Sequence, residues 1–446
     1  MDNVMLSRML FGSSMAFHII FATLTVGVSL MIFFAEIMRA IKKEQDYAIL
    51  AKRWTKGLAI LLGVAIPTGT IVAVMLSLLW PGYMEIVGQV VALPFQIEIF
   101  AFFLESLFLA IYVYAADRLT AAMRLISSFF VALGAVASAI LITSVHSWMN
   151  TPRGFELING QVTNVDPLAA ALSPSFFPTA MHVVSTAYMA GAFVLAAVAA
   201  FKMLKPDLPE REMQYHKKGL TITLMFAFAM SAWTASTGHD TTVMLYEEIP
   251  IKLAAAEGLF DTQRGASLTI FGTPSPEANE VIGGIEIPYL LSWLATYDVN
   301  AEIVGLNDFP REEWPPLFVH TLFNLMVFIG FGLLAVAGIT LLWMFIKRKQ
   351  KFSVPRWMLA SIVAAGPLAI VGIEIGWIFS CTGRQPWTIF RVQTTAEAAT
   401  SSGNLGTLFV LFVFLYFVLL VITGTVMYFY FKRNPLKQDM AMYEAT

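Results

Sequence analysis

The chain has 446 residues, of which 58% are hydrophobic and 13% are charged, and its formal net charge is −2. The small net charge excludes an electrostatic basis for binding nucleic acid. The single cysteine, Cys381, excludes an internal disulfide framework and a cysteine-ligated cluster within this chain. The mean hydropathy of +0.71 predicts one membrane-embedded domain rather than several soluble domains.

Nine apolar runs are long enough to cross a hydrocarbon layer about 30 Å thick, which takes about 20 helical residues. They lie at 13–37, 58–79, 93–115, 125–145, 180–201, 220–235, 318–346, 358–379 and 405–430, and the sixth is the weakest and shortest. The runs lack the alternation that is typical of barrel strands, so the sequence predicts an all-α polytopic membrane protein with nine transmembrane helices. The N-terminal residues lack a cleavage pattern, so we expect the first run to be retained.

Lysine and arginine are concentrated in the loops after runs 1, 3, 5 and 7 and in the C-terminal tail, which together hold 21 of the 28. Because basic loops stay in the cytoplasm, this pattern predicts an outer N-terminus and a cytoplasmic C-terminus. We expect three parts: helices 1 to 6 at 1–241, an outer loop at 242–315, and helices 7 to 9 at 316–446. The loop is long for a compact membrane protein, and its apolar and acidic mixture predicts an ordered, partly helical cap, with candidate helices at 252–257 and 286–297.

Ionisable side chains within the hydrocarbon are costly, so each one predicts a partner, a cavity or a ligand. The candidates within the runs are His18, Glu98, Glu105, His182, His320 and Glu374. With the N-terminus outside, His18, Glu98 and His182 fall at similar depths in the outer half of the membrane. Glu374 and Met326 can join the same layer. Each residue alone fits an interhelical contact or core packing, but the shared depth indicates a cofactor layer.

Imidazole and thioether side chains are suitable axial ligands for haem iron, and a His–Met pair gives a six-coordinate electron-transfer centre. A single histidine or carboxylate leaves one position open for oxygen. The sequence has no CxxCH motif, so we expect any haem to be held without a covalent bond. Glu98 and Glu105 are seven residues apart on one helix face, which fits a proton path as well as a pair bonded to neighbours.

Several short motifs follow one another along these runs. They are FFLE at 102–105, MNTPRGFEL at 149–157, KLAAAE at 252–257, GLND at 305–308, IEIGW at 373–377 and GRQPW at 383–387. With these motifs in this order on nine spans, the chain resembles subunit I of the cytochrome bd oxidases. The resemblance extends from about His18 to the last run.

The resemblance implies roles for individual residues. His182 and Met326 would be the axial ligands of a low-spin haem b that accepts electrons from quinol. His18 and Glu98 would ligate two high-spin haems, a haem b and a haem d or a further haem b in its place, and which residue serves which haem stays open. The resemblance further implies catalytic roles for Glu105, on a proton path, and for Glu374 and Arg384, which would flank the haems. Arg384 and Trp377 would also bind a haem, and Lys252 and Glu257 would contact quinol.

The implied activity is oxidation of quinol at the outer face and reduction of dioxygen to water with protons from the cytoplasm. The implied partners are a second large membrane subunit (subunit II) and a small single-span subunit, in the cytoplasmic (inner) membrane of a bacterium. The implied path of protons and electrons separates charge across the membrane without a pump.

Two positions depart from patterns that other family members carry. Cys381 stands where some have an acidic residue, three positions before the arginine of GRQPW. Asn324 stands where others have an arginine, two positions before the methionine ligand. The first departure keeps open a variant that carries only haems b. From a different class, a proton-coupled transporter is the alternative, and it predicts a protein without Soret absorbance.

Overall fold

Long apolar helices dominate the computed structural model, which describes residues 2–115, 118–348 and 354–444. The helices are α1 (Asn3–Lys42), α2 (Gln45–Leu79), α3 (Pro81–Val90), α4 (Ala92–Tyr114), α5 (Ala121–Asn150), α6 (Pro167–Ala171), α7 (Phe176–Met203), α8 (Glu210–Glu248), α9 (Pro250–Glu257), α10 (Leu290–Thr296), α11 (Val319–Ile346), α12 (Arg356–Thr382), α13 (Thr395–Ala398), α14 (Leu405–Arg433) and α15 (Leu436–Glu444). Within these ranges, nine helices are long and apolar enough to cross a membrane: α1, α2, α4, α5, α7, α8, α11, α12 and α14. The predicted all-α fold with nine spans is confirmed.

Each predicted run lies inside its helix to within one residue, but several helices continue well beyond the apolar part. The largest difference is α8, which extends past both ends of the run at 220–235 and continues beyond the loop boundary expected at 242. It is the least apolar of the nine helices. Hydropathy detects only the apolar middle of such a helix, because its polar ends lie beyond the apolar stretch that marks a membrane span.

The spans associate as sequential pairs, α1 with α2, α4 with α5, α7 with α8 and α11 with α12, and α1 and α7 are the most buried. These two helices cross at Gly27 and Gly191. A Cβ on Gly27 would lie 2.4 Å from the backbone oxygen of Ala187 and 2.7 Å from the Cα of Gly191. Without side chains at the crossing the two backbones can touch, which is how small residues join helices in membranes.

The segment between α8 and α11 is folded. Short antiparallel pairs join β3 (Gln263–Arg264) to β8 (Glu302–Ile303), β4 (Leu268–Ile270) to β7 (Ile285–Ile287) and β5 (Thr273–Ser275) to β6 (Glu280–Ile282), and further pairs elsewhere join β1 (Glu156–Ile158) to β2 (Gln161–Thr163) and β9 (Trp387–Ile389) to β10 (Gln393–Thr394). Helices α9 and α10 lie at the two segments predicted to be helical, which confirms an ordered, partly helical cap. Leu253, Leu291 and Leu306 form its apolar core against Val319 of α11.

Candidate functional site

Two histidines on different helices have the same surroundings. On α1, the Nδ1 of His18 lies 3.0 Å from the hydroxyl of Thr68 on α2. On α7, the Nδ1 of His182 lies 3.1 Å from the hydroxyl of Thr237 on α8. Neither Nε2 forms a hydrogen bond with the described residues, so each ring keeps one nitrogen for a ligand outside the protein.

A glycine faces three of the four side chains predicted to ligate haem iron, namely His18, His182 and Met326. A Cβ on Gly69 would lie 3.1 Å from the Cε1 of His18, and one on Gly238 would lie 3.5 Å from the same atom of the second histidine. A Cβ on Gly376 of α12 would lie 2.9 Å from the sulfur of Met326 on α11. The three side chains therefore sit against bare backbone, and a larger residue at Gly69 or Gly376 would have to displace them.

The predicted carboxylates differ in their partners. Glu98 on α4 accepts a hydrogen bond of 2.5 Å from the hydroxyl of Ser138 on α5. Glu105, two turns further along α4, is buried, and its Oε1 has no partner among the described residues. The same holds for one carboxylate oxygen of Glu374 on α12. A buried oxygen without a partner is unfavourable, so both positions fit a water molecule or a ligand beside them.

A third polar side chain lies on the same face of α4 as Glu98 and Glu105. Tyr112 lies a further seven residues along, and its hydroxyl donates a hydrogen bond to buried Glu36 of α1. Arg39 lies 3.5 Å from the same carboxylate. This pair was not predicted from the sequence, although Glu36 lies within the first apolar run, because only the fold brings it to Tyr112. The seven-residue repeat of polar side chains on α4 was the available signal.

Two buried basic side chains lie near the C-terminal end of α12. The ammonium of Lys252 on α9 donates hydrogen bonds to the backbone oxygen of Ser380, at 2.9 Å, and to the side-chain oxygen of Asn150, at 3.2 Å. Burial, and then the charge of nearby Arg384, lowers the pKa of Lys252 to about 7. Burial also lowers the pKa of Arg384, and its Nη1 has no partner in the described part of the chain. Because neither cation forms an ion pair with a described residue, the pair favours an anionic group between these helices.

His146 on α5 belongs to the same cluster, and the sequence analysis did not identify it. Its Nε2 lies 2.9 Å from the hydroxyl of Ser380, and its ring packs edge-on against Trp377 with centroids 5.1 Å apart. The apolar run predicted for this helix ends at 145, one residue short. Extending the run by a single turn would have found it.

Glu257 lies at the end of α9 and is buried, and burial raises its pKa to about 8. It is five residues after Lys252, so the two side chains point in different directions from the helix, and no ion pair joins them. The adjacent backbone is fixed by His320 of α11, whose ring nitrogens lie 2.8 Å from the carbonyl oxygens of Ala256 and Phe271. The predicted quinol residues therefore lie in one rigid helix but do not contact each other.

Asn324 and Cys381 are the two positions that differ from the pattern of other family members. Asn324 accepts a hydrogen bond of 3.1 Å from the backbone nitrogen of Phe271 and donates one of 3.0 Å to the carbonyl oxygen of His320. It thereby holds the segment between α8 and α11 to α11. Cys381 is a free thiol with an exposed side chain in the last turn of α12.

These features fit haem. The open Nε2 atoms and the thioether are suitable ligands for its iron, and the buried guanidinium of Arg384 suits its propionate groups. The indole nitrogens of Trp80 and Trp387 are further buried donors for which no partner occurs in the described ranges.

The chain resembles known proteins over nearly its whole length. The family described as "Cytochrome bd terminal oxidase subunit I" matches residues 6–435. A protein of Bacillus subtilis (strain 168), provisionally named as subunit I of a cytochrome bd menaquinol oxidase, is 51% identical over 99% of both chains. The cytochrome bd ubiquinol oxidase subunit 1 of the same organism is 29% identical, over 98% of this chain and 94% of that one.

A solved structure has the same fold. The bd oxidase from Geobacillus thermodenitrificans superposes with a TM-score of 0.91 at 44% identity, covering 97% of this chain and 99% of that one. The chain therefore belongs to the cytochrome bd terminal oxidase subunit I family, a family of multi-pass bacterial membrane proteins that carry haem.

Proposed function

We propose that the chain is the haem-bearing subunit of a quinol:dioxygen oxidoreductase in the bacterial cytoplasmic membrane. The observation that carries the proposal is the pair of histidines whose Nδ1 atoms are bonded to threonines and whose Nε2 atoms are open. The decisive experiment is the absorption spectrum of the purified complex with extraction of its pigments. Soret absorbance together with quinol-dependent oxygen consumption supports the proposal, and a colourless, folded preparation supplied with haem contradicts it.

We assign His182 and Met326 to a low-spin haem b, and His18 and Glu98 to two high-spin haems, a haem b and a haem d. When bound, the haems supply electron transfer from quinol and the reduction of oxygen to water. Trp377 and Arg384 would contact the haems, and Glu374 would lie beside them. A chlorin band in the red region of the spectrum tests for haem d, and its absence would mean a further haem b instead.

We propose the outer segment at 242–315 as the quinol-binding unit, between the haem-ligand helices at 1–241 and 316–446. Lys252 and Glu257 would contact the quinol hydroxyl groups. Their pKa values of about 7 and about 8 lie near neutral pH, so each side chain can exchange a proton there. Both are buried on a helix that is fixed to α11 and α12, which holds them in place for the substrate.

We propose that protons reach the oxygen site along the face of α4 that carries Tyr112, Glu105 and Glu98. Seven helical residues span about 10.5 Å, so water must connect these groups. Glu36, bonded to Tyr112, would be the entry near the cytoplasmic end. This direction follows from the distribution of lysine and arginine, which favours an outer N-terminus and a cytoplasmic C-terminus.

Subunit I of a bd oxidase functions with a subunit II, and we propose the same second large subunit here, together with a small single-span subunit. Helix α14 is the least buried of the nine apolar helices and exposes large side chains such as Phe414 and Phe417. These side chains suit contact with another apolar helix or with lipid. Copurification of tagged chain with its membrane partners tests the proposal.

A further inference from the structure

Two helix contacts far apart in the sequence share one arrangement of residues. In each, a histidine Nδ1 faces a threonine hydroxyl on the neighbouring helix, and the next residue is a glycine that faces the imidazole ring. The dipeptides are Thr68–Gly69 on α2 and Thr237–Gly238 on α8. The same His–Thr–Gly arrangement therefore occurs at two separate helix contacts, α1 with α2 and α7 with α8. We looked for one physical reason that explains both.

The hydroxyl proton of Thr68 is committed to the backbone of its own helix. Its Oγ1 lies 2.8 Å from the carbonyl oxygen of Val64 and 3.1 Å from that of Ala65. Carbonyl oxygens only accept hydrogen bonds, so the threonine donates to them. The remaining lone pairs of the same oxygen then accept from the Nδ1–H of His18.

Thr237 has the same surroundings. Its Oγ1 lies 3.1 Å from the carbonyl oxygens of both Trp233 and Thr234. Ser185, which is 3.3 Å away, donates its own proton to the carbonyl oxygen of His182 at 3.0 Å. The Oγ1 of Thr237 is therefore an acceptor for the Nδ1–H of His182.

We propose that Thr68 and Thr237 are positioning residues that fix His18 and His182 in the tautomer with the proton on Nδ1. The lone pair of each Nε2 is then permanently available to iron, and the ring cannot rotate away. The inference rests on the proposed roles of the two histidines as haem ligands. A partner on the second ring nitrogen is known to set the tautomer and basicity of a metal-bound imidazole.

The test replaces a threonine by valine, which has nearly the same volume but no hydroxyl group. In Thr237→Val, the Nδ1–H loses the hydroxyl as an acceptor and keeps only the backbone oxygen of Thr234, so we expect the low-spin haem to transfer to a haem-scavenging apoprotein about 10 to 100 times faster. Its midpoint potential should rise, because a ring without this hydrogen bond donates less electron density to the iron. Thr237→Ser should restore both properties. Thr223→Val removes a buried hydroxyl from the same helix, bonded only within α8, and should change neither.

Thr68→Val repeats the test on the other helix pair and should affect only a high-spin haem. If one of the two valine variants does not accumulate in the membrane, the other variant tests the proposal. Rescue by serine supports the proposal, and equal behaviour of the serine and valine variants contradicts it. A wild-type spectrum, potential and haem-loss rate in an accumulated valine variant also contradicts it.

His182→Ala separates this inference from the ligand assignment. If that variant keeps the low-spin signal, the assignment itself is wrong. If it loses the signal while Thr237→Val behaves as wild type, only the role of the threonine is wrong.

Discussion

The ammonium of Lys252 on α9 lies 2.9 Å from the backbone oxygen of Ser380 on α12 and joins the segment between α8 and α11 to α12. On the same α9, Glu257 is buried without an ion pair among the described residues, and burial raises its pKa to about 8. The two groups therefore change charge within a narrow range of pH. This gives the proposed quinol site a pH dependence that can be measured.

We expect the apparent KM for quinol to rise as the pH increases through about 8. Above that value Glu257 loses its proton and becomes a buried, unpaired anion that cannot donate a hydrogen bond. Glu257→Gln stays neutral, so its KM should not rise in this range. Glu247→Gln, an exposed substitution at the end of α8, is the control. A rise in KM that persists in Glu257→Gln would assign the titration to another group.

Glu105→Gln should slow turnover by roughly 100-fold, which is in the range for loss of a proton-transferring side chain. The amide cannot carry a proton along the path, but it keeps the shape of the buried side chain. Oxygen consumption and the haem spectrum should be recorded on the same sample. Glu85→Gln, at an exposed position on α3, should be fully active. Normal turnover in Glu105→Gln would exclude a proton path at this position.

Tyr112→Phe should reduce turnover by about 10-fold, because it removes one hydrogen bond to a charged group at the entry of the proposed path. Glu36→Gln should have at least the same effect, since it removes the carboxylate. The haem spectrum should not change in either variant. Full turnover in both would place the entry elsewhere.

Gly376→Ala should alter the low-spin haem spectrum, because the added Cβ would lie 2.9 Å from the sulfur of Met326. Gly372→Ala is a matched control one turn away on α12, where the Cβ would meet the Cγ2 of Ile329 at 3.0 Å. Both substitutions crowd a side chain of α11, but only one of these side chains is a proposed ligand. The same spectrum in both variants would contradict the role of Met326.

Gly27→Ala should destabilise the protein by about 1–3 kcal/mol, the usual cost of inserting a methyl group into a packed interior. Its Cβ would lie 2.4 Å from a backbone oxygen of α7, so the two central helices would have to separate. Thermal unfolding of the purified complex measures the change. Gly63→Ala on α2, where no atom lies within 4 Å of the added Cβ, should be neutral or slightly stabilising. An unchanged transition in Gly27→Ala would show that α1 and α7 can move apart freely.

The positions of the nine helices could be predicted because each contains an apolar stretch that matches the thickness of a membrane. The polar ends of these helices could not be predicted, since water and lipid headgroups can hydrogen-bond to the backbone of a loop as well as surround a helix. This is why His146, one residue beyond a predicted run, was missed. His18 and His182 were found because an ionisable group within hydrocarbon is rare enough to be noticed.

The threonines beside these histidines could not be identified from the sequence. A threonine in an apolar helix can always bond to its own backbone, so its presence indicates no partner. Only the structure shows that Thr68 and Thr237 face an imidazole from another helix. Glu36 was missed for a related reason, because only the fold brings it to Tyr112.

Only Ile249 separates the end of α8 from the start of α9. The threonine bonded to His182 is on α8, and the lysine proposed to contact quinol is on α9, so a single non-helical residue connects the helices that carry the two side chains. A compound that displaces α9 would therefore act through one residue on α8, the helix that orients the imidazole. Inhibitors that bind at α9 should therefore change the absorption spectrum of the proposed low-spin haem, even before any substrate is added.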